Sequence, residues 1–265
     1  MGGEEYMKLK ILVSWIISVI ALSLPAMASE NGITVFMAGD STMSIKEVKD
    51  YPEAGWGMPF SYFFNDEVTV DNRAKNGRST KTFISEQRWQ GILTELKAGD
   101  YVFIQFGHND QSKHKVDRYT PPAEFRHNLS QFIAQTKEKN AFPILMTPIT
   151  RRYFSDDGTI KETHPIYADL VRQVAKETKV EFIDMEIVTK HYFQQLGEQA
   201  SALRFMHIKA NLHPNYPNGV KDDTHLNNLG AREVAQLVLT ELKQRNHPLI
   251  KQLRAVDPKH LTLSY

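Results

Sequence analysis

The chain has 265 residues, of which 41% are hydrophobic and 24% are charged, and its formal net charge is +1. These values are typical of a globular protein, and the sequence contains no low-complexity tract or internal repeat. A net charge so close to zero argues against a surface built throughout for nucleic acid, and no nucleic-acid motif is present.

The first 28 residues have the pattern of a cleavable secretory signal. Two lysines precede an apolar run over 11–24, and small residues follow at Ala26 and Ala28. The run is shorter than the roughly 20 apolar residues that span a bilayer, so we expect no stable membrane anchor after cleavage. The chain has no cysteine, which excludes disulfide bonds and a cysteine-linked lipid anchor.

The signal predicts an exported protein, periplasmic or extracellular, whose mature chain begins near Ser29. The extension before Met7 is acidic where such signals are basic, so the sequence leaves open whether translation starts at Met1 or at Met7. Residues 29–265 contain no linker that would divide them. We therefore expect one domain after the signal, residues 29–265, of unknown oligomeric state.

Short apolar runs alternate with helical patterns along this domain. The runs are rich in β-branched and aromatic residues and predict strands at 33–38, 68–72, 101–106, 142–147 and 180–184. Helical spacing predicts helices at 122–139 and 167–178, and a last helix capped by Asn227 or Asn228. Strands that alternate with helices favour parallel pairing. The pattern predicts a doubly wound α/β sandwich.

Four polar loops lie where this fold places its chemistry, at the carboxyl ends of strands. GDST (39–42) follows the first strand, NRAKNGRST (72–80) the second and GHND (107–110) the third, whereas DDTH (222–225) precedes the last helix. Each motif alone has a plainer explanation, as a turn or a helix cap. Their occurrence together, in this order, favours a catalytic site.

The residues in these loops are those of acyl transfer. Ser41 supplies a nucleophile, His225 a base and Asp222 a carboxylate that orients the base. In a loop that turns into a helix, residues three apart can face one way, so Asp222 can reach Nδ1 of His225. Asp223 would then point elsewhere, toward the amino end of the last helix.

Acyl transfer also needs hydrogen-bond donors where negative charge develops on oxygen. The backbone N–H groups of Ser41 and Gly77 and the side-chain amide of Asn109 are the candidates. Glycine suits this role because a residue without Cβ lets its backbone approach a ligand closely. None of these three donors has to change its charge during the reaction.

Taken in order, the four blocks resemble those of the SGNH (GDSL-like) hydrolases, and the resemblance covers essentially all of the mature chain. GWG (55–57), NGRST, FGHND and DDTHLNNLGA (222–231) are similar, more narrowly, to the rhamnogalacturonan acetylesterases among carbohydrate esterases. The resemblance implies a flavodoxin-like three-layer α/β sandwich with a parallel five-stranded sheet.

For the site, the resemblance implies Ser41 as nucleophile, Asp222 and His225 as the rest of a triad, and Ser41, Gly77 and Asn109 as the oxyanion hole. It also implies removal of acetyl groups from a pectic polysaccharide without a cofactor. Five histidines lack a metal-ligand pattern, and we expect no metal site; they are His108, His114, His164, His207 and His213.

Basic and aromatic residues near these loops are candidates for binding substrate. Arg78, beside Gly77, and Arg151 and Arg152, after the fourth strand, could meet galacturonate carboxylates, as could Lys75 and Lys81; the alternative is solvated surface charge. Trp56 and Tyr153 could stack on sugar rings, and Trp56 is equally suited to packing against the sheet.

Three alternative functions remain open at this point. An SGNH esterase could act on another acetylated polymer, xylan or homogalacturonan, or on small acyl esters. A lipase-like or thioesterase-type hydrolase of the same fold would need an apolar acyl pocket, which the polar and basic loops do not favour. A non-catalytic polysaccharide-binding protein is disfavoured by the intact serine, histidine and aspartate.

Overall fold

The computed structural model describes residues 32–254, so the predicted signal, residues 1–28, lies outside the described residues and stays a prediction. The helices and strands alternate along most of this range. The strands are β1 Ile33–Gly39, β2 Val68–Asn72, β3 Tyr101–Gln105, β4 Phe142–Met146, β5 Glu181–Ile183, β6 Phe205–Ile208 and β7 Val220–Leu226. The α-helices are α1 Thr80–Ser85, α2 Arg88–Glu95, α3 Pro122–Glu138, α4 Pro165–Thr178, α5 Met185–Ala202 and α6 Asn228–Gln244.

Five of the strands form one parallel sheet in the order β2-β1-β3-β4-β5. The chain leaves β1 toward one edge and returns through β3 toward the other, so the order reverses between these two strands. The loops after β1 and β3 therefore open onto a crevice at the carboxyl edge, where doubly wound sheets bind ligands.

Side chains alternate along β1 and enter two separate cores. Val35 and Met37 pack with α5, α6 and β6–β7 on one face, whereas Phe36 and Ala38 pack with α1 to α4 on the other. Because successive side chains of a strand point to opposite faces, a strand with four apolar residues in succession, 35–38, must be covered on both faces. The predicted three-layer, doubly wound α/β fold is confirmed.

Local sequence explains the ends of several elements. The side chain of Asn227 accepts a hydrogen bond from the N–H of Gly230 and caps α6, as one of the two predicted caps. Ser79 and Thr82 form a reciprocal capping box at the start of α1. Helix α5 is bent at Gly197, whose φ of 72° lies outside the helical region.

Within residues 32–254, no helix combines the length and the apolar character needed to cross a membrane.

Candidate active site

Ser41, His225 and Asp222 form a hydrogen-bonded chain at the carboxyl edge of the sheet. Nε2 of His225 lies 3.0 Å from Oγ of Ser41, and Nδ1 lies 2.7 Å from Oδ2 of Asp222. These distances are those expected between a nucleophile and its base, and between the base and the group that orients it. The three residues meet as predicted, although the serine lies two residues after β1 and the other two come from β7.

The segment that carries Asp222 and His225 is a strand, not the loop that the sequence predicted. It belongs to the antiparallel pair β6–β7, whose register shifts so that Phe205 faces Leu226 while the adjacent Met206 faces Asp222. Residues 223–225 therefore bulge out of the ladder, which re-aims their side chains. The bulge lets an acid and a histidine three positions apart face one another.

Asp222 is held by its own backbone as well as by the imidazole. Its Oδ1 accepts hydrogen bonds from the N–H groups of Thr224, at 2.7 Å, and His225, at 3.0 Å. Burial raises the pKa of the Asp222 carboxyl, but the hydrogen bonds and charge of His225 and these two N–H groups outweigh that effect and lower the pKa to about 2. The carboxylate is therefore charged at neutral pH and fixes the imidazole with Nδ1 as the donor.

The turn that carries Ser41 is supported by the GWG segment. The N–H groups of Gly55, Trp56 and Gly57 donate to the carbonyls of Ser44, Thr42 and Met43 at 2.8–3.2 Å. A Cβ on Gly55 would lie 2.3 Å from the carbonyl oxygen of Ser44, so no larger residue fits this contact. The glycines of this motif therefore position the nucleophile turn.

Two oxyanion-hole candidates are backbone N–H groups with no internal partner. Among residues 32–254, the N–H groups of Ser41 and Gly77 donate to no protein acceptor, and both residues line the same pocket as His225. Gly77 has φ of 77°, a left-handed conformation that favours glycine. Two unpaired donors beside a nucleophile are suited to the oxygen of a tetrahedral intermediate.

Asn109 is the third candidate donor, and two neighbouring residues fix the orientation of its amide. Its Oδ1 accepts a hydrogen bond from Nη1 of Arg118 at 2.9 Å, and its Nδ2 donates to the carbonyl of Arg78 at 3.0 Å. Since an amide nitrogen carries two hydrogens, one remains for a ligand. The sequence did not predict Arg118, because nothing in KVDRYT indicates that this arginine folds back onto GHND.

The pocket around these groups has a volume of about 450 Å³ and a polar lining. None of its lining residues has an aliphatic side chain or a phenyl, phenol or indole ring. Three of them carry positive charge, namely Lys115, Arg118 and Arg151. A long acyl chain would find no apolar wall here, whereas an acetyl group on a hydrated sugar needs none.

The structure corrects the expectation that Trp56 binds substrate. Its side chain is fully buried, donates from Nε1 to Oε1 of Gln105 at 2.7 Å, and packs edge-on against Phe60. Its ring is therefore unavailable to a sugar. The sequence allowed two roles for this residue, stacking on a sugar ring and packing against the sheet. The second role is the one observed, because the large apolar surface of the indole favours burial in the core.

Arg152 and Arg78 also have structural partners instead of open positions in the pocket. Arg152 is buried and pairs with Asp223 at 2.6 Å, and Arg78 pairs with Glu86 at 2.9 Å. Neither side chain lines the pocket. The sequence predicted that Asp223 points toward the start of helix α6. Its carboxylate instead binds Arg152 and His207.

Arg151 is the predicted substrate-binding arginine that does line the pocket. Its backbone N–H donates to Oγ1 of Thr163 at 3.1 Å, and its Nη1 donates to the hydroxyl of Thr224 beside the catalytic histidine. No carboxylate of the described residues pairs with it. Its guanidinium group is fixed in place and keeps donors for a ligand.

His108 and His164 lie buried side by side, and His108 lines the pocket. Their rings are 4.2 Å apart, edge to face. Burial lowers the pKa of both, that of His164 to about 3, so both are neutral in the folded protein. His108 belongs to the GHND turn, and Nδ1 of His164 lies 3.0 Å from Oε1 of Gln111, the residue after that turn.

Comparison with known proteins identifies the family of the chain. A model described as the GDSL-like Lipase/Acylhydrolase family matches residues 37–233, a range that contains the five predicted residues of the triad and the oxyanion hole. The chain is 40% identical over 227 residues to the rhamnogalacturonan acetylesterase RhgT of Bacillus subtilis (strain 168), which covers 86% of this chain and 97% of that protein. It is 35% identical to the probable rhamnogalacturonan acetylesterase YesY of the same strain, over 83% of this chain and 96% of that protein.

Solved structures share the fold. The Bacillus subtilis protein YXIM matches with a TM-score of 0.71 and 28% identity over 82% of this chain, and this chain covers 58% of that longer protein. The acetylxylan esterase Axe2 of Geobacillus stearothermophilus matches with a TM-score of 0.59 and 18% identity over 80% of this chain and 95% of that chain, a likeness of fold alone. The family model matches most of this chain, so the chain belongs to the GDSL-like lipase/acylhydrolase family. This match confirms the resemblance seen in the four sequence blocks.

Proposed function

We propose that the protein is an exported serine esterase that removes O-acetyl groups from rhamnogalacturonan through an acetyl-serine intermediate. The observation that carries the proposal is the Ser41–His225–Asp222 chain beside three hydrogen-bond donors, in a pocket without apolar walls. Relatives named rhamnogalacturonan acetylesterases, at 40% and 35% identity over nearly their full length, supply the substrate class.

The first half-reaction transfers the acetyl group to the enzyme. Nε2 of His225 accepts the proton of the Ser41 hydroxyl as its Oγ attacks the acetyl carbonyl carbon. The carbonyl oxygen becomes negative and is stabilised by the N–H groups of Ser41 and Gly77 and by the amide of Asn109, each of which is typically worth a few kcal/mol of barrier. The bond to the sugar oxygen then breaks, and that oxygen takes the proton from His225.

The second half-reaction restores the serine. Water gives a proton to Nε2 of His225 and its oxygen attacks the acetyl carbon of acetyl-Ser41. The same three donors stabilise the second oxyanion. Oγ of Ser41 leaves and recovers the proton, and acetic acid is released. Asp222 stays ionised throughout and stabilises the positive imidazole.

The polar pocket favours a short acyl group over a lipase-like substrate. A fatty acyl chain gains binding energy only where it leaves water for apolar surface. Activity should therefore fall steeply as the acyl chain of a 4-nitrophenyl ester lengthens from acetate to octanoate. An octanoate ester hydrolysed as well as the acetate would favour the lipase-like alternative.

The intermediate is tested by trapping it. The enzyme is mixed with acetylated rhamnogalacturonan, quenched in acid within milliseconds, and digested, and the peptide that contains Ser41 is weighed by mass spectrometry. We expect an added acetyl group on Ser41 that disappears when substrate is exhausted. Turnover with no acetylated Ser41 at any quench time, and no loss of activity in Ser41→Ala, would argue for another nucleophile.

Export is proposed from the N-terminal pattern of residues 1–28 alone. Sequencing the amino terminus of the protein recovered outside the cytoplasm tests it directly. A mature terminus at or near Ser29 supports export by a cleaved signal. Retention of the intact chain in the cytoplasm would contradict it.

A further inference from the structure

The pocket at Ser41 continues into a second pocket of about 640 Å³. The two share three lining residues, Ser112, Lys115 and Arg151, so they form one cleft with the cations at the junction. The far part of this second pocket is lined by Tyr153 and Lys161, among others. A cleft that runs on from the reacting atoms is suited to a polymer better than to an isolated ester.

The arginines of this cleft differ from most others in the described residues. Of the twelve arginines in 32–254, nine lie within 4.0 Å of a carboxylate oxygen. The three that do not are Arg118, Arg151 and Arg232, and the first two line the pocket at Ser41. Arg118 and Arg151 hydrogen-bond to neutral groups, Asn109 and Thr224, and keep their full positive charge in the pocket.

Lysines extend the positive charge along the cleft. Lys113, Lys115 and Lys161 line the second pocket, and no carboxylate of the described residues pairs with any of them. Glu162 is the one acidic residue in that lining. Like charges that converge on one concave surface repel each other, and an anionic ligand relieves the repulsion. The charge therefore fits an acidic substrate and not a neutral one.

The far wall of the second pocket offers an aromatic ring beside this charge. Tyr153 is 45% exposed, and its carbonyl accepts a hydrogen bond at 2.8 Å from the backbone N–H of Lys161, which holds the two residues side by side. A bridge between Phe154 and Ile160 closes the same loop. A fixed, half-exposed phenol ring is suited to packing against the face of a pyranose.

We propose that the second pocket is a subsite for an acidic sugar of the polymer, whose carboxylate is bound by Lys115 and Lys161, with Arg151 at the junction and Tyr153 under the ring. This inference rests on the proposed function, because it concerns the same cleft, and it states where along that cleft a uronic acid of the chain is bound. A neutral polymer such as xylan provides no carboxylate for these cations.

Binding without turnover tests the subsite separately from the esterase. The parent is Ser41→Ala, and its affinity is measured by calorimetry for de-acetylated rhamnogalacturonan oligosaccharides and for xylo-oligosaccharides of the same length. We expect the acidic ligand to bind with an affinity that falls as NaCl is raised, and the neutral ligand to bind at least about tenfold more weakly.

The variant for the subsite is Lys115→Gln with Lys161→Gln in the same parent. We expect its Kd for the acidic oligosaccharide to rise by about tenfold or more, with a smaller salt dependence. The control is Lys137→Gln with Lys179→Gln, which removes the same charge from a pocket at the opposite edge of the sheet, where Tyr101 and Phe142 begin β3 and β4. The control should keep the Kd of the parent.

Three results would overturn the subsite: no binding of the acidic oligosaccharide to the parent, equal binding of the neutral one, or equal losses in the subsite variant and the control. Failure of the proposed function looks different. In that case the unmodified enzyme releases no acetate from rhamnogalacturonan, whatever the affinities measured with Ser41→Ala.

Discussion

Nζ of Lys46 lies 2.6 Å from the carbonyl oxygen of Ser41 and 2.7 Å from Oδ1 of Asn76, the residue before Gly77. One ammonium group thus joins the nucleophile turn after β1 to the loop after β2 that carries an oxyanion donor. Its side chain is only 1% exposed and pairs with Glu53 at 2.8 Å. Burial lowers the pKa of Lys46, and the charge of Glu53 opposes that shift.

We therefore predict that Lys46 positions Ser41 and Gly77 relative to each other. Lys46→Met should lower kcat for 4-nitrophenyl acetate by about tenfold to a hundredfold with little change in KM, because a displaced nucleophile loses reactivity while Lys46 touches no substrate. The kcat measured by steady-state kinetics and the rate at which a phosphonate labels Ser41 should both fall.

Glu53→Gln is the matched control, since it removes the charge partner but leaves Lys46 bonded to Ser41 and Asn76. Its loss of kcat should be smaller. A folded Lys46→Met protein with unchanged kcat and labelling rate would assign Lys46 to stability alone.

The two partners of the serine should not be equally important. We predict that His225→Ala lowers kcat more than Asp222→Asn does, because an imidazole without its carboxylate is badly oriented but can still accept a proton; in serine hydrolases the aspartate loss is typically about 10⁴-fold and the histidine loss about 10⁶-fold. Single-turnover acetyl release from 4-nitrophenyl acetate checks this order. Equal losses would count against Asp222 as the orienting group.

We predict an unusual pH dependence of stability from Asp110, the residue after Asn109. Burial raises the pKa of its carboxyl from 3.8 to about 7, although Thr80 donates to Oδ1 from its N–H and its hydroxyl and thereby lowers it. Between pH 4 and 7 the folded protein holds a proton that the unfolded chain has lost. This stabilisation is complete below pH 3.8 and is lost as the pH rises toward 7, at about 1.4 kcal/mol per pH unit.

The measurement is the difference in free energy of unfolding between the unmodified protein and Asp110→Asn, by urea denaturation at several pH values. As the pH rises from 4.5 to 6.5, the unmodified protein should lose stability relative to the Asp110→Asn variant. Taking the difference removes the contribution of His108 and His164, whose lowered pKa values give the opposite slope. A difference that does not change with pH would contradict the raised pKa.

We predict that replacing the buried Trp56 lowers the stability of the protein without weakening substrate binding. Trp56→Phe leaves Oε1 of the buried Gln105 without its donor, which should cost about 1–3 kcal/mol in free energy of unfolding. Trp89→Phe is the matched control, because it deletes an equivalent bond to Gln135, which is only half-buried and can bond to water. If Trp56→Phe instead raises the KM for the polymer and leaves stability unchanged, Trp56 takes part in substrate binding.

The sequence predicted the parts of the fold that depend on local pattern. All five sheet strands appear within one or two residues of their predicted ends. The clearest are β3 and β4, because buried parallel strands are nearly continuous apolar runs. Helices α3, α4 and α6 were predicted from their spacing, whereas α1, α2 and α5 were not. Helix α1 has only six residues and α5 is bent at Gly197, so neither presents a long regular pattern.

The β6–β7 pair was missed for a different reason. Its second strand reads VKDDTHL, with five polar residues in succession, and polar residues are typical of loops. Pairing with β6 and the bulge at 223–225 make it a strand, and both depend on a segment that lies some 15 residues away in the chain.

The candidate catalytic residues were predictable because each lies in a short motif, and the residues that support them were not. Ser41, Gly77, Asn109, Asp222 and His225 all come together as the motifs implied. Lys115 and Arg118 line the same pocket, and Lys46 contacts the backbone of Ser41, all from loops with no motif. Whether a basic residue binds a carboxylate of its own chain or faces the cleft is a matter of tertiary contacts: Arg152 and Arg78 have such partners, and Arg151 does not.

The most direct test of the account is acetate release by the mature protein from acetylated rhamnogalacturonan, acetylated xylan and acetylated homogalacturonan, with Ser41→Ala measured beside it. We predict release mainly from rhamnogalacturonan, and none above background from the folded Ser41→Ala variant. Release mainly from xylan, or release that persists without the Ser41 hydroxyl, would contradict the proposed substrate in the first case and the proposed nucleophile in the second.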